Sequence, residues 1–172
     1  MAILTHSELA RASCINAEAG AQRVTRLLRR SRRLQVLEIP PPGAYDPSTC
    51  GEGLARKINS AWLGLATTSS FDYLLGKYFE IAACRTTVVG NMNEQGRAIF
   101  GADYVHIDRG MSDRRILATI EAALADRRPL QAMADRMSGV MHDGYTLAHL
   151  ERKLYGLAAA IHQGRSRGDS SG

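Results

Sequence analysis

The strongest constraint on this chain is a repeated exchange of short strand-like runs with helix-period segments, sustained from residue 34 onward. Leu34-Gln35-Val36-Leu37-Glu38-Ile39 reads as a strand closed by Pro40-Pro41-Pro42-Gly43, and Leu54, Ile58 and Trp62 give a short helix at i, i+4, i+8. Trp62 to Ala66 is a continuous apolar run, as a buried strand requires, and the polar Thr67-Thr68-Ser69-Ser70 is placed to cap a helix over 72–83. Thr86 to Val89 is strand-like, then come a turn at Gly90-Asn91, a helix at 93–100 and the strand Tyr104 to Ile107. Ser112 caps a helix carrying Ile116, Leu117, Ile120 and Leu124 on one face; Pro129 restarts another, with Met133 and Met137 as core filling. Gly144 separates a last helix at 146–162, with Leu147, Leu150, Leu154, Leu157 and Ile161 on one side. Strands alternating with helices predict β-α units with a parallel sheet, so the expected fold is α/β: a Rossmann-like three-layer domain with C-terminal helices.

The chain's 172 residues suffice for one such domain, expected over 18–162. Residues 1–17 are expected to be an N-terminal segment, the remnant of a first strand and its loop, and 163–172 a disordered tail with nothing to bury. No apolar run is long enough to span a membrane, and the first residues lack a basic region followed by an apolar one. The expected location is cytoplasmic.

The net charge of +5 is local. Residues 11–33 hold seven arginines against the single acid Glu18, whereas from residue 34 onward 15 basic side chains meet 15 acidic ones. Arg23, Arg26 and Arg30 share one helix side, with Val24, Leu27 and Leu28 on the other, which describes an amphipathic surface helix with a solvated arginine face. That face could hold phosphates, but it lacks the interleaved aromatics of a single-strand binder, so no nucleic acid is expected. Cys14, Cys50 and Cys84 form no pair at ligand spacing, and the histidines are scattered, so no metal and no cofactor are expected. Gly51-Glu52-Gly53 lacks the third glycine of a dinucleotide fingerprint and reads as a turn and helix start.

In an open parallel sheet, ligands sit beyond the carboxyl ends of the strands, which directs attention to loops 40–53, 67–72 and 90–95. The helix following the 62–66 strand brings free N–H groups and a dipole to that edge, favouring an anion. Lys77 adds a cation. Asp72 and Glu80 would stand about 12 Å apart along one helix, comparable to a diphosphate flanked by two hydroxyl-rich rings. The plainer alternative is an N-terminal aspartate beside a Lys77–Glu80 surface pair.

The stretch from Lys57 to about Leu154 resembles the C-terminal, donor-binding domain of two-Rossmann-domain (GT-B) glycosyltransferases, in particular their family-4-like, spore-maturation (CgeB-like) branch. The carrying residues are Ile58-Asn59-Ser60-Ala61-Trp62-Leu63-Gly64-Leu65 and Phe71-Asp72-Tyr73-Leu74-Leu75-Gly76-Lys77-Tyr78-Phe79-Glu80-Ile81-Ala82-Ala83-Cys84. Val88-Val89-Gly90, Asn93-Glu94 and the helices from Ser112 to Tyr145-Thr146 continue the match. The resemblance implies that Glu80 contacts the ribose of a nucleotide sugar, that Asp72 contacts the transferred sugar or its phosphate, and that Lys77 lies beside the phosphates. Asp72 stands where the family usually has glutamate, and Arg85 where a glycine is common. Ser69 and Ser70 occupy the place of the loop near the diphosphate. The implied chemistry is metal-independent glycosyl transfer, with the nucleotide sugar as substrate.

The family's acceptor site lies largely in a separate N-terminal domain. The expectation is therefore a fragment or half-enzyme that binds donor and relies on a partner chain or a homo-oligomer for the rest. A degenerate, non-catalytic binding or interaction module is the alternative, and a nucleic-acid binder using the arginine helix at 23–33 is a further one.

Overall fold

The computed structural model describes residues 2–5, 19–38, 50–68 and 72–168. The Pro40 to Gly43 turn, Cys14, Ser69, Ser70 and the end of the expected tail lie outside them. Among the described residues, five strands form one sheet: β1 (Ala2–Thr5), β2 (Gln35–Glu38), β3 (Leu63–Ala66), β4 (Thr87–Gly90) and β5 (Val105–His106), in the order β2-β1-β3-β4-β5. Seven helices among the described residues accompany them: α1 (Ala19–Arg30), α2 (Gly51–Asn59), α3 (Gly76–Ala83), α4 (Glu94–Phe100), α5 (Asp113–Ala125), α6 (Arg127–Gly144) and α7 (Leu147–Gly168).

The α/β class is as expected, and β3, β4 and β5 run parallel, Leu65 opposite Val89 and Val89 opposite Val105. This three-stranded parallel unit is compatible with a Rossmann-like fold. The whole sheet is not parallel, however. β1 pairs antiparallel with both neighbours, Ile3 opposite Leu37 on one side and Gly64 on the other. Hydrophobic alternation reports that a segment is a strand, not which way it runs, so the reversal left no mark in the pattern.

The buried strands read as continuous apolar runs because both faces are covered. Along β3, Leu63 and Leu65 point to one side, into a cluster with Val24 and Leu28 of α1 and Ile116, Ile120 and Leu124 of α5. Ala66 points to the other side, where Ile58 of α2, Tyr78, Ile81 and Ala82 of α3, Phe100 of α4, and Met137 and Met141 of α6 gather. The period-two geometry of the strand thus sorts the helices into two layers around the sheet. Fully burying each of these large side chains contributes roughly 1.5–3 kcal/mol. Gly90 ends β4 where its backbone passes so close to β3 that a side chain would collide with the Ala66 carbonyl.

Helix boundaries follow local chemistry. Ser112 accepts from the Arg115 N–H at the start of α5, Asn93 from the Gly96 N–H at the start of α4, and Asp126 from the Arg128 N–H at the start of α6. Helix α6 starts at Arg127, so Pro129 falls within its first turn, where a missing N–H costs nothing. Met137 is buried as expected and Met133 is half-buried. Helix α7 runs to Gly168, past the expected end at residue 162. Its apolar side, which the periodicity marks for burial, is exposed.

Candidate functional site

The carboxyl ends of the three parallel strands surround a cavity of about 220 Å³. Thr67 follows β3, Asn91 follows β4, and Ile107, Asp108 and Arg109 follow β5; Arg23 and Val24 of α1 and Ile116 of α5 complete the wall. Val24, Ile107 and Ile116 form an apolar floor, with hydroxyl, amide, carboxylate and guanidinium groups at the rim. Mostly apolar walls with a few convergent polar groups are the usual make-up of a small-molecule site.

The rim is fixed by side-chain hydrogen bonds to backbone. The Thr68 N–H donates to Asn91 Oδ1 at 3.2 Å, and Asn91 Nδ2 donates to Thr68 Oγ1 at 2.6 Å. The Tyr78 hydroxyl, fully buried in α3, donates to the Asn91 carbonyl at 2.5 Å. Asp108 Oδ1 accepts from the backbone N–H groups of Gly110 and Met111 at 2.7 and 3.2 Å, and Oδ2 lies 3.2 Å from His106 Nε2. The Gly110 hydrogen bond, helped by His106, holds the Asp108 carboxyl below the usual carboxylate range.

Arg23 closes the far side. Its guanidinium donates to the Arg109 and Met111 carbonyls at 3.0 and 2.8 Å and to Asp113 Oδ1 at 2.6 Å. Arg23 of α1 is thus engaged by the rest of the domain; Arg33, just past the end of α1, meets Glu121 at 3.5 Å, and Arg26 donates to the Gln22 carbonyl within α1. Arg109, by contrast, has no ion-pair partner for its guanidinium among the described residues.

The residues singled out in the sequence distribute unevenly. Lys77, in the first turn of α3, reaches the rim: its Nζ lies 3.4 Å from Thr67 Oγ1. Asp72 does not belong to α3, which starts at Gly76 and not at residue 72. It adopts a left-handed backbone, φ 55°, and its carbonyl accepts from Asn93 Nδ2 at 2.6 Å. That left-handed backbone does not fit a right-handed helical turn, and α3 begins only after the extended Leu75. Glu80 is exposed in the second turn of α3. Its charge acts on Cys84, a half-buried thiol whose pKa is raised by burial first and by Glu80 second. Asp72 and Glu80 therefore do not share one helix, and the expected 12 Å helical spacing between them is not what the fold provides. Ser69 and Ser70 lie outside the described residues.

Sequence reading missed Asp108, Arg109 and the role of Arg23, and it passed over Asn91 as a turn residue. The available signals were the Asp108-Arg109-Gly110 turn directly after a strand and the Gly90-Asn91 pair at another strand end. Among the described residues, no three His, Cys, Asp or Glu side chains gather as metal ligands. No helix is long and apolar enough to cross a membrane among them. Compared with family models, curated proteins and solved structures, the chain matches none.

Proposed function

We propose that this α/β domain, read as the Rossmann-like donor half of a GT-B glycosyltransferase, binds a nucleotide sugar at the carboxyl edge of β3, β4 and β5. The observation that carries the reading is the cavity itself, which opens where three parallel strands end and places an apolar floor beneath Asn91, Asp108 and Thr67. At about 220 Å³ it is smaller than the roughly 300–1,000 Å³ of sites that enclose a whole drug-sized ligand. It takes one ring system, and the diphosphate and sugar lie along the rim.

Each rim group has a chemical task in this reading. Asn91 and Thr67 offer neutral donors and acceptors to a ring edge. Asp108, kept ionised by its loop amides, retains lone pairs for ribose hydroxyls. Lys77 and Arg109 supply positive charge for the diphosphate, the arginine in bidentate fashion. In the sequence resemblance Glu80 and Asp72 were to hold the ribose and the transferred sugar. The exposed position of Glu80 and the placement of Asp72 ahead of α3 favour binding over transfer by this chain. The acceptor side is supplied by a second domain or subunit. Engagement of Arg23 on α1 by Asp113, and of Arg33 beyond the end of α1 by Glu121, is why phosphate recognition is assigned to the strand ends and not to the arginine segment at 23–33.

Calorimetric titration with uridine diphosphate and a uridine-diphosphate sugar tests this. Saturable binding that weakens about tenfold, or ~1.4 kcal/mol, in Lys77→Ala and in Arg109→Ala is expected. Absence of saturable binding of either compound, or of adenosine and guanosine diphosphates, up to millimolar concentration overturns the proposal.

A further inference from the structure

Helix α7 is 22 residues long and has no substantial packing on any other described element. Leu147, Leu150, Leu154, Leu157 and Ile161 are nevertheless 52–70 % exposed and lie along one side. Their separations alternate between three and four residues, a period of 3.5. A surface helix covering its own domain carries a wider stripe, whereas a narrow seam confined to two positions of each heptad is the geometry with which helices supercoil around each other. We propose that α7 pairs with α7 of a second copy of this chain as a short, parallel, two-stranded coiled coil.

The seam is suited to its own copy. With Leu147, Leu154 and Ile161 at one core position and Leu150 and Leu157 at the other, the flanking positions fall on Glu151, Lys153, Ala158 and Ala160. In a parallel pair Lys153 faces Ala158 of the second copy and Glu151 faces its Thr146, so no like charges meet across the seam. The two alanines let the helices approach closely. Burying a large apolar side chain removes roughly 60–120 Å² from water, so ten of them bury on the order of 1,000 Å², near the low end of stable protein interfaces. A dimer of that size forms and dissociates within an accessible concentration range. At the start of α7, Thr146 Oγ1 lies 2.6 Å from His149 Nδ1, a local contact that leaves the apolar side of the helix uncovered.

Sedimentation velocity of the full chain between about 1 and 200 µM tests the proposal. The expected result is a monomer at the lowest concentration giving way to a dimer at the highest. Leu154→Glu, exposed in the isolated domain, shifts the dissociation midpoint upward by at least tenfold with an unchanged far-ultraviolet circular dichroism spectrum. Leu157→Glu serves as a second variant with the same expectation, and Tyr155→Ala, on another side of the helix, leaves dimerisation in place. A monomer throughout, a dimer that survives both glutamate variants, or a different oligomer overturns the proposal.

Discussion

Asn91 and Thr68 exchange two hydrogen bonds across the ends of neighbouring strands, and in doing so fix the spacing of the loops that frame the cavity. Thr68 is buried, so the bonds are shielded from water on one side. Replacing Asn91 with alanine strands the Thr68 N–H and hydroxyl, and a loss of about 1–3 kcal/mol in urea unfolding is expected. The same variant should weaken diphosphate binding beyond the effect on stability, seen as a raised Kd at temperatures where the variant remains folded.

Gly90 gives a sharper test of the strand packing. A methyl group at this position collides with the Ala66 carbonyl, a backbone atom that cannot swing aside. Gly90→Ala should cost about 3 kcal/mol, a large part of the ~5–15 kcal/mol that holds a domain of this kind together. Gly76, where an added methyl meets nothing within 4 Å, is the control. Gly76→Ala should leave the melting temperature unchanged or slightly higher, as the gain of helix propensity is at most ~1 kcal/mol.

Arg85 adopts a left-handed backbone, φ 51°, in the turn from α3 into β4 while its guanidinium grips Asp135 of α6 at 2.5 Å. Glycine at this position removes a backbone cost of roughly 1–2 kcal/mol but also the link to α6. Both ends of that link are substantially exposed, which limits its strength. Arg85→Gly should therefore be neutral or stabilising in thermal denaturation, and a clear drop in melting temperature would show that the α3–α6 link outweighs the backbone term.

Acid should destabilise the fold through two carboxyls. Arg85 and then Gln131 hold Asp135 below its ordinary pKa, and the Gly110 N–H does the same for Asp108. A carboxyl depressed in the folded state binds fewer protons there than in the unfolded chain, so its stabilising effect is complete above the unfolded-state pKa near 4. It is lost as pH falls through the folded-state value. Stability measured by urea unfolding should be flat with respect to these groups between pH 6 and 8 and fall below about pH 4. Asp108→Asn and Asp135→Asn should each make that fall shallower, and an unchanged slope would rule the two groups out as its source.

Most of the strand and helix order was legible because it rests on local chemistry: the apolar run at 62–66, the strand-like 86–89, the Ser112 cap, and the buried faces of α5 and α6. Three things were not. The antiparallel direction of β1 depends on pairing with residues 35–38 and 63–65, which no local pattern encodes. Asp72 stands ahead of α3 in a left-handed backbone, with its carbonyl accepting from Asn93, 21 residues away, and neither feature has a local signature. The cavity wall depends on Arg23, whose periodicity reads as a solvated face until its partners at 109–113 are known. Of the residues singled out in the sequence, Lys77 lies beside Thr67 at the strand-end edge; Asn91, Asp108 and Arg109 reach that edge only through the stacking of three strand ends.

The grip of Arg23 on Asp113 joins positions 90 residues apart. During synthesis α1 leaves the ribosome long before α5 exists, with Val24 and Leu28 still lacking the Ile116, Ile120 and Leu124 they pack against. At roughly 5–20 residues per second that interval lasts several seconds or more, during which the apolar side of α1 is open to chaperones or to premature collapse. The α1 side of the cavity is therefore completed only once α5 has been made. A nascent polypeptide halted before residue 113 lacks the Asp113 partner of Arg23 and the Ile116 wall, whatever its sheet has already achieved.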